Sequence, residues 1–427
     1  MNKYLKIIQL LLLIKMSTYR TYLNDMIPVL QDAHKKRPIE PRVEKLKTLI
    51  SLVEGEKFIN YEPYLVNNIL PIVLKRIDDK PKVSEVSHEL GEKLMSKLSI
   101  QAFPLVLNVL SKEMQIESKW RVKLGSLKLL SSYIKRINNL DRDLLSASLP
   151  QLVKILTPML HDTKLEISEE ASMVLLLSLK GITNKDLEPF VEDLLKAIKV
   201  RDETEETIQK LGGVVFVQTV EGSALSVVVP LMLAGFRTNK ALIKRMCARI
   251  VSNMAKLVEE PLEALPFLEE LIPAIGDAID TISDPEARNV TEKTYNELLV
   301  LKENGKKMEN EKKFMKIEII EKEIIGKIGN IEKEYAKYMA TITSSLISTK
   351  TVEEEEYRCE LKNYLEDDKK EEVIKYLYQE SRKVIGIDLE EAEEEEDGEE
   401  LCDCEFTLAY GTKILLHNTR LKLKKGK

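Results

Sequence analysis

Apolar residues recur along residues 60–305 in a phrase of two helices. An apolar stretch that begins near a proline is followed by a short polar break and a second apolar stretch, as in AFPLVLNVLSKEM and then WRVKLGSLKLLSSYI. Proline at the first turn of a helix loses no hydrogen bond, because the N–H group that it lacks has no partner inside the helix. The pattern therefore predicts six helix pairs, opened by Pro71, Pro104, Pro150, Pro189, Pro230 and Pro266.

These six prolines are separated by 33, 46, 39, 41 and 36 residues. Helix pairs that repeat about every 40 residues are typical of HEAT or armadillo repeats. Each helix is apolar on more than one face, so a single pair cannot bury its own apolar surface and neighbouring pairs must stack. A closed helical bundle is the alternative, but it would not require a repeated phrase. We predict an all-α fold, with a HEAT-repeat solenoid over residues 17–305 and no strand in residues 60–305.

The composition changes after residue 305, where proline disappears and Lys, Glu and Ile dominate. Helices are predicted at 314–325, 328–347, 353–365 and 370–385, and their short connections favour a small four-helix bundle at 306–388. Nine of the twelve residues at 389–400 are acidic, and this run predicts a solvated linker. Residues 401–427 alternate in polarity like the start of a β structure.

Composition also restricts the class of protein. Of 427 residues, 44% are hydrophobic and 32% charged, and the four cysteines are too few for a disulfide scaffold and suit a reducing cytosol. The four scattered histidines predict no metal site. Residues 1–16 form an N-terminal extension whose apolar run is too short to span a membrane, which takes about 20 residues. A signal peptide remains the alternative, although no small-residue cleavage site follows; we expect a cytoplasmic protein without a membrane segment.

The charges are distributed unevenly, since residues 1–250 carry 38 basic and 29 acidic residues, whereas residues 301–427 carry 24 and 31. Residues 222–258 contain no acid and six basic residues. A row of cations can neutralise backbone phosphates without reading sequence, and Arg237, Lys240 and Lys244 would share a helix face if the helix extends that far. The candidate phosphate-binding residues are Arg237, Lys240, Lys244, Arg245 and Arg249; the alternative is a solvated face.

Other chemistry is sparse in this sequence. It contains no GxxxxGK[ST], GxGxxG, HExxH or GxSxG motif, so no catalytic residue is predicted. Trp120, the only tryptophan, is expected to pack between repeats, because a large ring contributes mainly by burial. An exposed contact residue is the alternative for Trp120. Cys402 and Cys404 are interpreted as structural, since no second ligand pair accompanies them.

The stretch LCDCEFTLAYGTKILL at 401–416, which follows the acidic run, resembles the entry to the first ATP-binding cassette of the translation elongation factor 3 family. Glu62-Pro63-Tyr64-Leu65-Val66, Lys119-Trp120, Ile243-Lys244-Arg245 and the run from Asp284 to Thr291 also resemble that family. The resemblance covers nearly all of residues 50–427. It implies a HEAT solenoid and a four-helix bundle, and it identifies residues 401–427 as the truncated start of a cassette.

The resemblance also implies a function in translation elongation. The family binds ribosomal proteins and rRNA, hydrolyses ATP with Mg in a ribosome-stimulated way, and helps deacylated tRNA leave the exit site; the elongation factor that delivers tRNA is a further implied partner. This chain lacks the phosphate-binding loop, so we expect no ATP hydrolysis by it alone and no cofactor in it. Tyr410 resembles an adenine-stacking residue, with a role conditional on a following cassette. The chain is interpreted as the ribosome-binding part of such a factor, as a fragment, a split-gene half or a truncated relative. The alternative is a free-standing HEAT scaffold for protein partners.

Overall fold

The structure is a computed structural model that describes residues 23–31, 38–55, 58–115, 119–311, 316–329, 331–365, 370–386, 400–410 and 413–424. The predicted extension at 1–16 and nearly all of the acidic linker at 389–400 lie outside these residues. The described part is helical apart from one hairpin near the C-terminus. The prediction of an all-α solenoid is confirmed, and the described residues between 60 and 305 contain no strand.

In the part of the chain that the structure describes, fourteen helices build the solenoid. They are α1 (23–31), α2 (Glu40–Glu54), α3 (Glu62–Tyr64, continued through a π-helical turn at Leu65–Ile69 into Leu70–Arg76), α4 (Pro81–Lys97), α5 (Phe103–Glu113), α6 (Trp120–Leu140), α7 (Arg142–Leu156), α8 (Leu165–Leu179), α9 (Val191–Lys199), α10 (Thr204–Gly212), α11 (Gly222–Phe236), α12 (Ala241–Ala255), α13 (Pro261–Thr281) and α14 (Pro285–Glu311). From α3 onward they alternate as the first and second helices of six pairs. Most second helices pack on the second helix of the next pair, for example α6 on α8 and α12 on α14.

The prolines open only two of the six first helices. Pro104 lies at the second position of α5, and Pro189 lies in a short 3₁₀ turn just before α9. Pro71 lies inside α3, directly after its π-helical turn, so the predicted start of this helix is wrong. Pro150, Pro230 and Pro266 lie inside α7, α11 and α13, so the predicted starts of these three helices are wrong. The reason is visible at the true starts: the Asp141 carboxylate accepts the Leu144 N–H at 2.9 Å, and Glu263 accepts the Gly222 N–H at 2.7 Å. These acceptors satisfy N–H groups that a helix start leaves without partners.

Polar contacts between residues about 40 positions apart join consecutive repeats. In each contact, equivalent positions of neighbouring pairs meet across the stacking interface. Side-chain pairs of this kind are Lys119 with Asp78, Gln101 with Asp141, Lys123 with Asp162, Lys244 with Thr281 and Arg245 with Glu286. The contacts show that the 40-residue period of the sequence is also the period of stacking.

The C-terminal helices form a four-helix group. They are α15 (Ile317–Ile328), α16 (Lys333–Ser348), α17 (Glu354–Leu361) and α18 (Lys370–Ile385). Gly329, with a φ of 79°, ends α15, so α16 begins at Lys333 rather than at the predicted 328. Helix α16 packs on the other three. The predicted boundary at 305 lies inside α14, which continues to Glu311.

This bundle follows the last repeat in the sequence, but it docks on the first repeats. Glu62, at the start of α3, is 2% exposed, and its Oε2 accepts hydrogen bonds from the hydroxyls of Tyr338 at 2.6 Å and Tyr364 at 2.9 Å. The two tyrosine rings meet edge to face, with centroids 5.2 Å apart. In addition, the Ser345 hydroxyl donates to the Gln101 carbonyl at 2.7 Å. Residues separated by about 240 to 300 positions are thus joined in one buried polar interface.

A β hairpin ends the described chain. Strands β1 (Glu400–Tyr410) and β2 (Lys413–Lys424) pair antiparallel, with Tyr410 opposite Lys413. Among the described helices, none is by itself long and apolar enough to cross a membrane, and one pair, Pro81–Lys97 with Ile100–Glu113, reaches the threshold on length and composition only and is bent by 113°.

Candidate nucleic-acid interface

The predicted basic residues lie around the turn between α11 and α12. Arg237 follows the last residue of α11, and Lys240 precedes the first residue of α12. Lys244, Arg245 and Arg249 lie within α12. A shared helix face for Arg237, Lys240 and Lys244 required a helix that reaches back to Arg237, and this condition is not met, because α12 begins only at Ala241.

Lys244 is not at the surface. Its residue is 5% exposed, and its ammonium group donates to the Thr281 hydroxyl at 2.6 Å, at the end of α13 in the next repeat. A lysine can bury its aliphatic stem along apolar surface and place only its charged end at a polar partner. The prediction that Lys244 is available to phosphates is therefore wrong, and its role here is to join two repeats.

Two further cations are engaged by acids of neighbouring repeats. Lys240 lies 2.5 Å from Glu205, and the Arg245 guanidinium forms an ion pair with Glu286. Both cations retain partial exposure, since the side chain of Lys240 is 66% exposed and that of Arg245 33%. Each carries a neutralising carboxylate that a phosphate would have to displace, so their contribution to anion binding is reduced.

Arg237 and Arg249 are the accessible cations of the predicted set. Both are exposed, and within the described part of the chain neither forms an ion pair. Arg249 shares a face of α12 with Arg245, four residues before it, and Lys256 directly follows the helix. Lys256 lies 3.6 Å from Glu297 and donates to Ser252 at 3.0 Å. The geometry therefore leaves Arg237 at the turn and Arg249 on the helix face as the positions where an anionic partner meets an unneutralised charge.

A second candidate binding surface lies at the start of α6, where the sequence predicted a buried residue. Trp120 is its first residue and is 41% exposed, so the expectation of burial between repeats is wrong. The Arg121 guanidinium lies 5.1 Å from the ring centroid, and the Lys164 ammonium 5.7 Å. In the sequence Lys119-Trp120-Arg121, basic residues stand on both sides of the tryptophan. This pattern indicates exposure, but the prediction gave more weight to the tendency of a large ring to be buried.

Tyr410, the residue predicted to stack on adenine if a cassette follows, is the last residue of β1. Its side chain lies outside the part that the structure describes, so adenine stacking stays a prediction. The residues present do not fit ATP and Mg, because the sequence contains no phosphate-binding loop, and the described residues around Tyr410 form a two-stranded hairpin. Among the described residues, no group of three or more His, Cys, Asp or Glu could hold a metal ion.

Two family models match this chain. Residues 25–175 match the EF3 N-terminal HEAT repeat, and residues 202–310 match the elongation factor 3/GNC1 HEAT repeat. Together they cover well over half of the sequence and most of the solenoid.

Curated relatives align over nearly the whole chain. Elongation factor 3 of Pneumocystis carinii is 32% identical over 400 residues, which are 90% of this chain and 37% of that protein. Elongation factor 3 of Gonapodya prolifera is 30% identical over 413 residues, and elongation factor 3B of Saccharomyces cerevisiae is 29% identical over 410 residues. The chain thus spans 37–39% of the length of these relatives. The repeat models and these alignments agree, and the chain belongs to the elongation factor 3 family, of which it carries the N-terminal HEAT-repeat part.

Proposed function

We propose that this chain is the ribosome-binding part of an elongation factor 3-like protein and acts in translation elongation, where the full-length family promotes release of tRNA from the exit site. The observation that carries the proposal is the match of the solenoid to the family's own HEAT repeats, supported by similarity to elongation factor 3 over 90% of the chain. Ribosomal proteins and rRNA are its proposed partners. The proposed place of action is the cytoplasm.

The exposed arginines are the proposed contacts to rRNA phosphates. Arg237 and Arg249 keep their charge accessible, whereas Lys240, Lys244 and Arg245 are engaged between repeats. Arginine suits this role because its planar guanidinium can bind a phosphate through two N–H groups. Each neutralised phosphate contributes about −0.7 to −0.9 to the slope of log affinity against log salt. Two contacts would therefore contribute about −1.4 to −1.8.

Co-sedimentation with ribosomes at several salt concentrations tests this proposal. Arg237→Ala/Arg249→Ala should weaken binding and flatten the salt slope by the contribution of two contacts. Lys196→Ala/Lys199→Ala is the matched control, because it removes two exposed cations from α9, outside the candidate surface. If the wild-type chain does not sediment with ribosomes, the proposed function is wrong. If both double variants bind alike, ribosome binding does not use these arginines.

A further inference from the structure

The start of α6 exposes the only tryptophan of the chain. Trp120 keeps 41% of its surface exposed, although the fold completely buries two other large rings of the same repeat, Phe103 and Tyr133. The indole is not needed to fill the described core. It lies at the edge where the second helices of consecutive repeats begin, because Lys164, which lies near the ring, immediately precedes α8.

Arg121 and Lys164 lie over this ring, and a third cation, Lys119, directly precedes Trp120 in the sequence. Lys119 lies 2.6 Å from Asp78, and Arg121 lies 3.5 Å from the other oxygen of the same carboxylate. One acid is shared by two cations, so it neutralises only one of their two charges, and the side chains of both remain mostly exposed, at 73% and 59%. Lys164 comes from the next repeat and completes the set.

Asp162, two residues before Lys164, does not cancel this charge. Asp162 is paired with the buried Lys123 at 3.2 Å. The backbone N–H of Lys164 and the Lys123 ammonium both stabilise the carboxylate and hold the pKa of Asp162 below its usual value. Asp162 is thus charged and engaged, and the surface around Trp120 keeps an excess of positive charge.

We propose that Trp120, with Lys119, Arg121 and Lys164, binds an unstacked nucleotide of single-stranded RNA. An aromatic ring stacks on any base, and cations around it meet the flanking phosphates, which is how sequence-tolerant single-strand binding works. A base inside an A-form duplex offers no free face to a side chain, so duplex RNA does not fit this site. The inference rests on the proposed function, since it names a second contact that the chain makes with ribosomal RNA. It differs from the arginine contacts because it requires an open base.

Fluorescence tests the site directly, because Trp120 is the only tryptophan. Titration of the full chain with a 12-residue oligouridylate should quench the emission, and the midpoint should rise with salt. In parallel, anisotropy of a labelled oligouridylate gives affinities for variants. Trp120→Ala should weaken binding about 5- to 150-fold, the range expected for loss of one stacked base, and Trp120→Phe should retain most of the affinity.

Two more variants distinguish the contributions of base stacking, of positive charge and of exposed apolar surface to the affinity for RNA. Arg121→Ala/Lys164→Ala keeps the indole and should weaken binding while reducing the single-strand salt slope by about 1.4. Leu165→Ala removes the 66% exposed first residue of α8 from the same edge and should bind like the wild type. Equal affinity of wild type and Trp120→Ala would overturn the proposal. So would polyglutamate of matched charge quenching as strongly as the oligonucleotide, because the site would then suit an acidic protein.

Ribosome sedimentation distinguishes this inference from the proposed function. If wild type and Trp120→Ala sediment alike and neither binds oligouridylate, the nucleotide site is wrong while the ribosomal role stands. If the wild-type chain binds oligouridylate through Trp120 but does not sediment with ribosomes, the proposed function is wrong and the site stands.

Discussion

At the scale of single residues, two lysines show why a charged position in a repeat protein can be structural. Lys244 and Lys123 are 5% and 8% exposed, and each reaches a polar partner in the next repeat, Thr281 or Asp162. These partners lie 37 and 39 positions later. The sequence shows a basic stretch, but it does not show that some of its cations point along the stacking direction. The sequence does offer one indication of such a contact, namely a polar residue about 40 positions after the lysine, because that distance is the length of one repeat.

Glu62 carries the strongest prediction at this scale. Burial raises the pKa of its carboxyl above the usual 4.5, although the hydroxyls of Tyr338 and Tyr364 oppose the shift by donating to it. A carboxyl whose pKa is raised by folding binds more protons in the native state. Its contribution to stability is therefore fully present below pH 4.5 and is lost as pH rises through the raised value. Glu62→Gln, which cannot ionise, should remove this component, worth about 1.4 kcal/mol for each unit by which the pKa is raised.

Urea unfolding of both proteins between pH 4 and 8 measures the effect. The difference in the free energy of unfolding, wild type minus Glu62→Gln, should fall as pH rises. Taking the difference matters because burial also raises the pKa of Glu360 and of Glu221, which would give the wild type further pH dependence of the same sign. A difference that stays constant over this range would show that Glu62 titrates at its usual pKa.

At the scale of elements, the sequence predicted the helix pairs and their period better than their ends. The 3.6-residue pattern and the 40-residue spacing follow from burial, which every repeat must satisfy, and both are confirmed. At the starts of α7 and α11, N–H groups of the first turn donate instead to the carboxylates of Asp141 and Glu263. Such bonds compete with the tendency of proline to begin a helix, and they place Pro150 and Pro230 inside one. A proline inside a helix removes one intrahelical hydrogen bond and bends the axis.

Helix α16 is the element that attaches the bundle to the first repeats. Its Ser345 is 2% exposed and donates to the Gln101 carbonyl, so Ser345→Arg would bring a long cation into a closed interface. We expect the bundle to detach, which would speed amide hydrogen exchange in residues 58–104 and 333–364. Exchange in α12 to α14 should change little, although α14 is closer to the bundle in sequence. Hydrogen-exchange mass spectrometry measures all three regions in one experiment.

Ser348→Arg is the matched control, because it lies on the same helix three residues later and is exposed. It introduces the same side chain and should leave exchange in the first repeats unchanged. Faster exchange in α12 to α14 instead of residues 58–104 would contradict docking of the bundle on the first repeats.

At the scale of the whole molecule, the chain returns from the last repeat to the first. The 27-residue α14 is about 40 Å long, and the bundle that follows it contacts Glu62, Ser99 and Gln101. Periodicity predicts which residues stack on their neighbours one repeat away. It carries no information on a contact between residues 276 positions apart, such as Tyr338 with Glu62, because that contact occurs once and uses polar groups. The repeat fold was therefore predictable from the sequence, and the docking of the bundle was not.

The sequence and fold of this chain also restrict its affinity for nucleotides. The chain contains no Gly-rich loop to hold a triphosphate, and Tyr410 could contribute only the stacking of its ring on adenine, worth about 1–3 kcal/mol. Since about 4.1 kcal/mol corresponds to 1 mM, such a contact gives at best millimolar affinity. Calorimetry with ATP and magnesium should therefore show no micromolar binding, and the chain should release no phosphate. A micromolar dissociation constant would reveal a nucleotide site elsewhere in the chain. Fusing the cassette of a relative after Lys427 should restore binding, and Tyr410→Ala should weaken it again if the ring stacks on adenine, whereas equal affinity of both fusions would leave Tyr410 a role in the hairpin alone.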